Sequence, residues 1–366
     1  MAEPENPQDL VPWLYAAVMA GGKGKRFWPE SRPEYPKPLL KILGEESMLQ
    51  LTVRRISGIV PKQNILVVTN QMYSTPVREH LPEIPKENII AEPEGRDTAA
   101  CIGLAAIHIK KINSDGVMLA APADHFIYNQ GRFTDVIRAA AEVAYLQNRL
   151  VTIGIPPTGP ETGYGYIHRG KPTSQCRGEK VYLVKEFVEK PDRRQAEQYL
   201  TQGDYLWNSG ILLWKASVIL EMIEEYLPAL AQGLVQIEKV LDTEREGQII
   251  TDVYKGLKSI SVDYGVMEKA EAVAMLVGDF DWSDVGSWAA LSELLSQDEN
   301  GNVVQASHLG IETEGCFNRC PGKLVATIGV KDLVIVQTEQ ALLVCPKHRT
   351  QEVKKIVEML EEQKSK

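Results

Sequence analysis

The chain has 366 residues, 44% hydrophobic and 24% charged, which excludes a disordered or low-complexity protein and, at roughly 150 residues per domain, predicts two to three folding units. No apolar run approaches the ~20 residues of a membrane span, and the opening MAEPENPQDLVPW lacks the features of a secretory or transit signal, so a cytoplasmic protein with no membrane partner is expected. A net charge of −9, from 40 basic and 49 acidic side chains, has the wrong sign for a nucleic-acid binder, so any positive charge that meets a ligand must be local.

Residues 1–13 read as a flexible tail. Beyond them, β-rich runs at Leu14–Met19, Ile65–Thr69, Val117–Ala121 and Leu150–Ile155 alternate with helical patterns, the rhythm of a mostly parallel sheet with helices on its faces. Asp97 and Thr98 offer N-cap oxygens to an Ala- and Ile-rich helix running toward Lys111, and Phe133, Val136, Ile137, Ala140 and Ala144 recur at helical spacing. Further strands are predicted at Val181–Val188 and Ile211–Trp214, with an amphipathic helix near Ile219–Tyr226. The polar segment Ser296–Asn302 separates a large domain, 14–298, from a terminal module, 299–366. That module carries short strands at Leu324–Ile328, Leu333–Gln337 and Leu342–Val344, then a helix whose Val353, Ile356, Val357 and Leu360 form an apolar stripe. Without a strict repeat, it reads as a short β-solenoid or a small sheet.

The five cysteines, Cys101, Cys176, Cys316, Cys320 and Cys345, are odd in number and scattered, which argues against a disulfide framework. A zinc site on Cys316 and Cys320 has His308 as its sole nearby further ligand, so free thiols are expected.

The most informative segment is Ala17–Lys37, AVMAGGKGKRFWPESRPEYPK, where an apolar strand runs into Gly21, Gly22 and Gly24 amid Lys23, Lys25, Arg26 and Lys37. Glycines after a strand permit close backbone approach to phosphate oxygens, a following helix start would add aligned N–H groups, and the cations neutralise charge. A strand-to-helix turn that needs glycine for sterics alone is the competing explanation. A Walker loop would end in Gly-Lys-Ser or Gly-Lys-Thr, absent here, and Phe27 stands where a dinucleotide fingerprint has its third glycine, although Glu45 and Glu46 fall near the distance of a ribose-binding acid.

Gly21 through Pro29 with Pro36-Lys37-Pro38 resembles the N-terminal signature of sugar-1-phosphate nucleotidyltransferases, and Trp28-Pro29 points to the mannose-1-phosphate guanylyltransferase branch. The similarity continues in order through Glu92-Pro93 to Ala100, Pro122-Ala123-Asp124-His125, Thr162 to Tyr166, Phe187 to Pro191, Trp207 to Gly210, Asp263 to Lys269 and Trp282 to Trp288. Two departures stand out. Lys25 occupies a position where many relatives carry Ser or Thr, and Pro38 replaces the Gln that follows the lysine in bifunctional members, whose cupin-like isomerase domain this chain has no room for.

The resemblance implies an α/β, Rossmann-like catalytic domain, a C-terminal β-helix-like module closed by a helix and a homodimer. It also implies transfer of GMP from GTP to mannose 1-phosphate, giving GDP-mannose and pyrophosphate with Mg²⁺. It places Gly21, Gly22, Gly24, Arg26, Lys37, Glu92, Arg96 and Thr98 on the nucleotide, and Gly163, Glu189, Lys190, Asn208 and Asp263 on the sugar phosphate. It implies that Arg26, Lys37, Asp124, Lys190 and Asp284 carry the reaction, with Asp124 and Asp284 as hard oxygen ligands for the metal. Each has a plainer structural alternative: a helix cap or turn for Asp124, an Asx turn for Asp284, a solvated strand end for Glu189 and Lys190, and a helix cap for Thr98 and Asp263. His125 needs no general-base role, because the attacking phosphate oxygen is already anionic at neutral pH. Glucose 1-phosphate or another nucleotide as substrate, and a non-catalytic nucleotide-sugar sensor, are the rival readings.

Overall fold

The computed structural model describes residues 11–22 and 24–364; the expected tail up to Leu10 and Lys23 of the glycine loop lie outside them. The chain forms two compact units that interleave in sequence: residues up to Gly21 with Gln50–Ala123 and Ile127–Trp282, and Gly22–Leu49 with Asp124–Phe126 and everything from Ser283. The polar segment Ser296–Asn302 lies inside the second unit. In chain order the first strands are β1 (Leu14–Met19), β2 (Ile65–Asn70), β3 (Ile89–Glu92), β4 (Val117–Pro122), the two-residue β5 (Phe126–Ile127) and β6 (Val151–Ile155). They are followed by β7 (Gly165–Cys176), β8 (Glu179–Glu189), β9 (Tyr205–Lys215), β10 (Ala274–Val277) and the two-residue β11 (Trp282–Ser283).

In the first unit nine strands form one sheet in the order β3-β2-β1-β4-β9-β6-β10-β8-β7. β3, β2, β1 and β4 are mutually parallel, β6 and β10 are parallel, and only β8 and β9 run against the rest. β1, β2 and β4 are buried over their first five residues, as their continuous apolar runs require of strands covered on both faces. The α-helices up to residue 256 are α1 (Met48–Ile56), α2 (Ser74–His80), α3 (Asp97–Ile112), α4 (Gln130–Gln147), α5 (Arg193–Gln202), α6 (Ala216–Tyr226), α7 (Pro228–Glu238) and α8 (Glu246–Gly256). Tyr15, Ala17, Leu66, Val68, Met118 and Ala120 face a core built with α3, α6, α7 and α8. By the two-residue period of a strand, Leu14, Ala16 and Val18 point to the opposite face, where α4 (Gln130–Gln147) supplies Phe133, Val136 and Ile137. The parallel strands β1, β3 and β4 end at Met19, Glu92 and Pro122, and open α/β sheets bind ligands beyond such carboxyl ends.

The second unit carries β12 (Val303–Val304), β13 (Ser307–Ile311), β14 (Phe317–Arg319), β15 (Leu324–Ile328), β16 (Leu333–Gln337) and β17 (Leu342–Pro346). β12, β14 and β16 stack in parallel, as do β13 and β15, so successive coils contribute to two small sheets; this is a short solenoid, closed by β17 antiparallel to β16. Val303, Phe317 and Val334 lie in register at separations of 14 (317 − 303) and 17 (334 − 317) residues, unequal steps that hide the repeat from the sequence. The five thiols are unpaired; Cys316 and Cys320 are buried inside the coils, and His308 Nε2 lies 2.8 Å from Thr327 Oγ1.

The terminal helix (Val353–Lys364) buries Val353, but Ile356 and Leu360 of the expected stripe are exposed. Trp288 joins the glycine loop to the solenoid: it is fully buried, packs on Phe27 at 4.9 Å and Phe317 at 5.6 Å, and its Nε1 donates to the Trp28 carbonyl at 3.1 Å. Replacing Trp288 with Ala should cost about 3–5 kcal/mol of unfolding free energy by chemical denaturation, the range for deleting a buried large aromatic; a loss under about 1 kcal/mol would deny it that role.

Candidate active site

Gly24 begins a turn at φ +63, and a Cβ there would collide with Cβ of Lys37, so both its handedness and the close packing demand glycine. Gly21 and Gly22 differ. A Cβ on Gly22 would meet nothing within 4 Å, and one on Gly21 only Glu92 Oε2 at 3.9 Å. Both are exposed, with space above them that the protein's own packing does not fill. No α-helix follows the loop, contrary to the expected helix start: Lys25–Phe27 is a single 3₁₀ turn, after which Pro29, Pro33, Pro36 and Pro38 bar helix continuation. The loop's N–H groups therefore have no helix dipole behind them. Arg26 donates from Nη1 to Gln351 Oε1 at 2.8 Å.

Lys37 sits in its own 3₁₀ turn between Pro36 and Pro38, and Pro38 occupies an early turn position where an N–H has no partner to lose. Only 6% of Lys37 is exposed, and its ammonium donates to Asp124 Oδ2 at 2.8 Å, the Asp124 carbonyl at 3.2 Å and the Asp284 carbonyl at 2.7 Å. One cation thus draws together two segments 160 residues apart (284 − 124), using all three of its N–H donors. Burial opposes ionisation of Asp124, but the charges of Lys37 and His125 and the Lys37 hydrogen bond outweigh it and hold the carboxyl below its ordinary range. The Asp284 carboxylate folds back over Gly286, where a Cβ would stand 2.7 Å from Oδ2. Neither aspartate caps a helix. No group of three or more His, Cys, Asp or Glu side chains able to hold a metal occurs among the described residues. Asp124 and Asp284 offer carboxylate oxygens, the donors a hard cation takes when it completes its shell with water and substrate phosphate, which is the habit of Mg²⁺.

In the first unit, Glu92 closes β3 and is 4% exposed. Its Oε1 accepts from the Tyr254 hydroxyl at 3.0 Å, while Oε2 faces Gly21. Burial raises its pKa to about 7 against the lowering effect of the Tyr254 bond. Arg96 donates from Nε to the Tyr254 carbonyl at 2.9 Å and from Nη2 to Glu94 at 2.6 Å, so it secures the end of α8. The Thr98 hydroxyl accepts from Val262 N–H at 2.8 Å rather than capping α3; Asp97 Oδ1 takes the Thr98 N–H instead. Arg96 thus braces the helix end that carries Tyr254, the partner of Glu92. Tyr254 escapes a sequence reading because 162 residues separate it from the group it serves.

Of the expected sugar-side residues, Glu189, Lys190, Asn208 and Asp263 gather. Glu189 pairs with Lys190 at 2.7 Å, and Asn208 Nδ2 donates to Asp263 Oδ1 at 2.8 Å, while Asn208 Oδ1 accepts from Gly210 N–H at 3.1 Å. A Cβ on Gly165 would run into Glu189 Oε2, so Gly165 is the glycine this carboxylate requires, whereas Gly163 is exposed with nothing within 4 Å. Burial pushes Asp263 up to about 6, opposed by the Asn208 bond and reinforced by the Glu189 charge. Asp263 opens a five-residue π-helical turn, with its carboxylate turned to Asn208. Burial opposes the charge on Lys190, but the Glu189 bond and the charges of Glu189, Tyr264 and Asp263 hold its ammonium above the ordinary value. Lys190 also sits at φ +50, a left-handed conformation that non-glycine residues rarely adopt. Glu268, within a matched block but given no role from sequence, belongs to the same acidic field: burial and Glu189 raise its carboxyl. Tyr164 meets Trp207 and Trp282 edge-on at 5.1 and 5.4 Å, making these rings wall rather than chemistry.

Residues 15–301 match the nucleotidyl transferase family, and residues 306–360 match the mannose-phosphate isomerase/GMP-like β-helix domain. Relatives named mannose-1-phosphate guanylyltransferase from Klebsiella pneumoniae and Escherichia coli are each 43% identical over 353 residues, spanning 95% of this chain and 74% of theirs. A crystal structure named mannose-1-phosphate geranyltransferase, from Thermus thermophilus, superposes with a TM-score of 0.85 at 34% identity, covering 95% of this chain and 99% of that one.

Glu92 yields a pH test. Its folded pKa lies above its unfolded value, so its contribution is fully present below about pH 4.5 and is lost as pH rises through about 7. Glu92→Gln keeps the acceptor for Tyr254 and cannot ionise. The melting temperature of wild type should therefore fall relative to Glu92→Gln between pH 5 and 8, by the equivalent of up to about 3 kcal/mol, and parallel curves would refute the raised pKa.

Proposed function

The chain belongs to the mannose-1-phosphate guanylyltransferase family of nucleotidyl transferases, and from that premise we propose that it transfers GMP from GTP to mannose 1-phosphate. An oxygen of the sugar phosphate attacks the α-phosphorus in line, the bond to the β-phosphate breaks, and GDP-mannose and pyrophosphate form without a covalent protein intermediate. The observation that carries this reading is the buried Lys37, holding Asp124 and the Asp284 backbone at 2.8 and 2.7 Å. Two anions that repel must be brought together, and fixed charges set in place before they arrive are the means proteins have for this.

Asp124 and Asp284 would hold Mg²⁺, which would supply neutralisation of phosphate charge there. Lys37 acts through them, since its donors are already engaged. Arg26 and the open backbone of Gly21 and Gly22 take phosphate oxygens. The second Glu92 oxygen faces Gly21 and suits a base with N–H donors on its edge, as guanine's N1–H and N2–H₂ are. Lys190 meets the sugar phosphate as a point charge, while Glu189, Asn208 and Asp263 sort hydroxyl positions, because a wrong epimer leaves a buried polar group unpaired.

We place the reaction in the cytoplasm, in keeping with five unpaired thiols; no helix among the described residues is long and apolar enough to cross a membrane. We also propose a homodimer. On one face of the β13–β15 pair, Leu309, Ile311, Leu324 and Ile328 are each more than 60% exposed, an apolar surface that a second copy would cover.

Pyrophosphate release from GTP, ATP, UTP and dTTP, each with mannose 1-phosphate and glucose 1-phosphate, tests the reaction: GTP with mannose 1-phosphate should dominate, another pair would rename the substrates, and binding without turnover would favour a sensor. Asp124→Ala and Asp284→Ala should each lower turnover by about a hundredfold or more. Asp124→Ala should also lower the melting temperature clearly, since it strands Lys37 without its carboxylate. Near-native turnover in both would defeat the metal assignment. Light scattering should give twice 40.8 kDa, and a monomeric mass would remove the dimer.

A further inference from the structure

The two cations that follow Gly24 are both held by the C-terminal segment of their own unit. Lys25 Nζ pairs with Glu361 Oε2 on the terminal helix at 2.8 Å, and Arg26 Nη1 donates to Gln351 Oε1, in the 3₁₀ turn Lys347–Glu352, at 2.8 Å. The contacts differ in kind. Glu361 is a carboxylate and neutralises Lys25, whereas Gln351 offers an uncharged amide oxygen that fixes one guanidinium nitrogen without cancelling its charge. The neighbouring carboxylate in that turn, Glu352, is taken by Arg349 at 2.7 Å and Lys355 at 3.3 Å. Among the described residues no acid pairs with Arg26, in a chain with nine more acidic than basic groups.

We propose that Gln351 is a positioning residue for nucleotide binding: it aims Arg26 while leaving the full positive charge and the remaining N–H donors to the triphosphate, and the Lys25–Glu361 pair anchors the loop beside it. The inference rests on the reading of Arg26 as a phosphate ligand. It gives the C-terminal module a part in substrate binding, because a flexible arginine held in one direction loses less freedom when the anion arrives. The choice of amide over carboxylate is the telling feature. A glutamate at 351 would hold Arg26 more firmly, yet would compete with phosphate for the same charge.

That competition separates the proposal from a merely structural tie. Gln351→Glu should raise KM for GTP about threefold to fivefold, the scale of one exposed ion pair, while KM for mannose 1-phosphate stays constant and the melting temperature equals or exceeds wild type. Gln351→Ala, which loses the aim but adds no rival charge, should raise the GTP KM less. If Gln351→Glu leaves the GTP KM within about 1.5-fold of wild type while Arg26→Ala raises it, the positioning role is overturned and the phosphate role of Arg26 stands. If Arg26→Ala itself leaves the GTP KM unchanged, the underlying reading fails.

Discussion

A lysine that is only 6% exposed must find partners for its charge and its three N–H groups, and Lys37 finds them in one carboxylate and two carbonyls. This requirement organises the second unit. The rigid Pro36-Lys37-Pro38 turn fixes where the ammonium stands, Gly24 must lack a side chain to admit it, and the segments at Asp124 and Asp284 are pinned by their own backbones. Phe27, 5.5 Å below the ammonium, passes the packing on to Trp288 and from there to the solenoid. A neutral residue at 37 would leave Asp124 uncompensated and release both loops.

The glycines sort by what they serve. Gly24 and Gly165 are dictated by the protein itself, one by a positive φ and the Lys37 stem, the other by the Glu189 carboxylate. Gly21, Gly22 and Gly163 have ordinary backbones and open space where a side chain would go, so the folded chain gives no steric reason for them. Close approach of a ligand's phosphates or hydroxyls is such a reason. The buried acids follow a similar division: Asp124 is kept ionised by an adjacent cation, whereas Glu92 and Asp263 sit where burial raises their pKa to about 7 and about 6. A carboxylate held firmly ionised suits a metal; carboxyls whose ionisation burial disfavours suit hydrogen bonding to uncharged parts of a substrate.

Much of this was legible from sequence because it is local. The strand periods at Leu14–Met19, Val117–Ala121, Leu324–Ile328 and Leu333–Gln337 recur in the fold nearly residue for residue, and the ordered blocks point to Lys37, Asp124, Glu189 and Asp263. What was hidden depends on distance along the chain or on competition for partners. No local signal announces that Tyr254 serves Glu92 or that Gln351 reaches Arg26. Nor does a local signal announce that Arg96 bonds the α8 terminus and Thr98 the Val262 N–H. The expected helix after the glycine loop fails because the prolines that shape the Lys37 turn also forbid it. The solenoid was expected from the resemblance, but coils of unequal length kept it from showing as a strict repeat, and the outward stripe of the terminal helix was missed because periodicity reports a face without saying what covers it.

The claim that Lys37 and Asp124 form the central couple is tested most directly by a double-mutant cycle on unfolding free energy with Lys37→Met, Asp124→Asn and the double variant. A coupled, buried pair predicts that the double variant is less destabilised than the sum of the singles, by about 1–3 kcal/mol. Additivity within about 0.5 kcal/mol would contradict the account, for it would mean that the two groups lie side by side without holding each other.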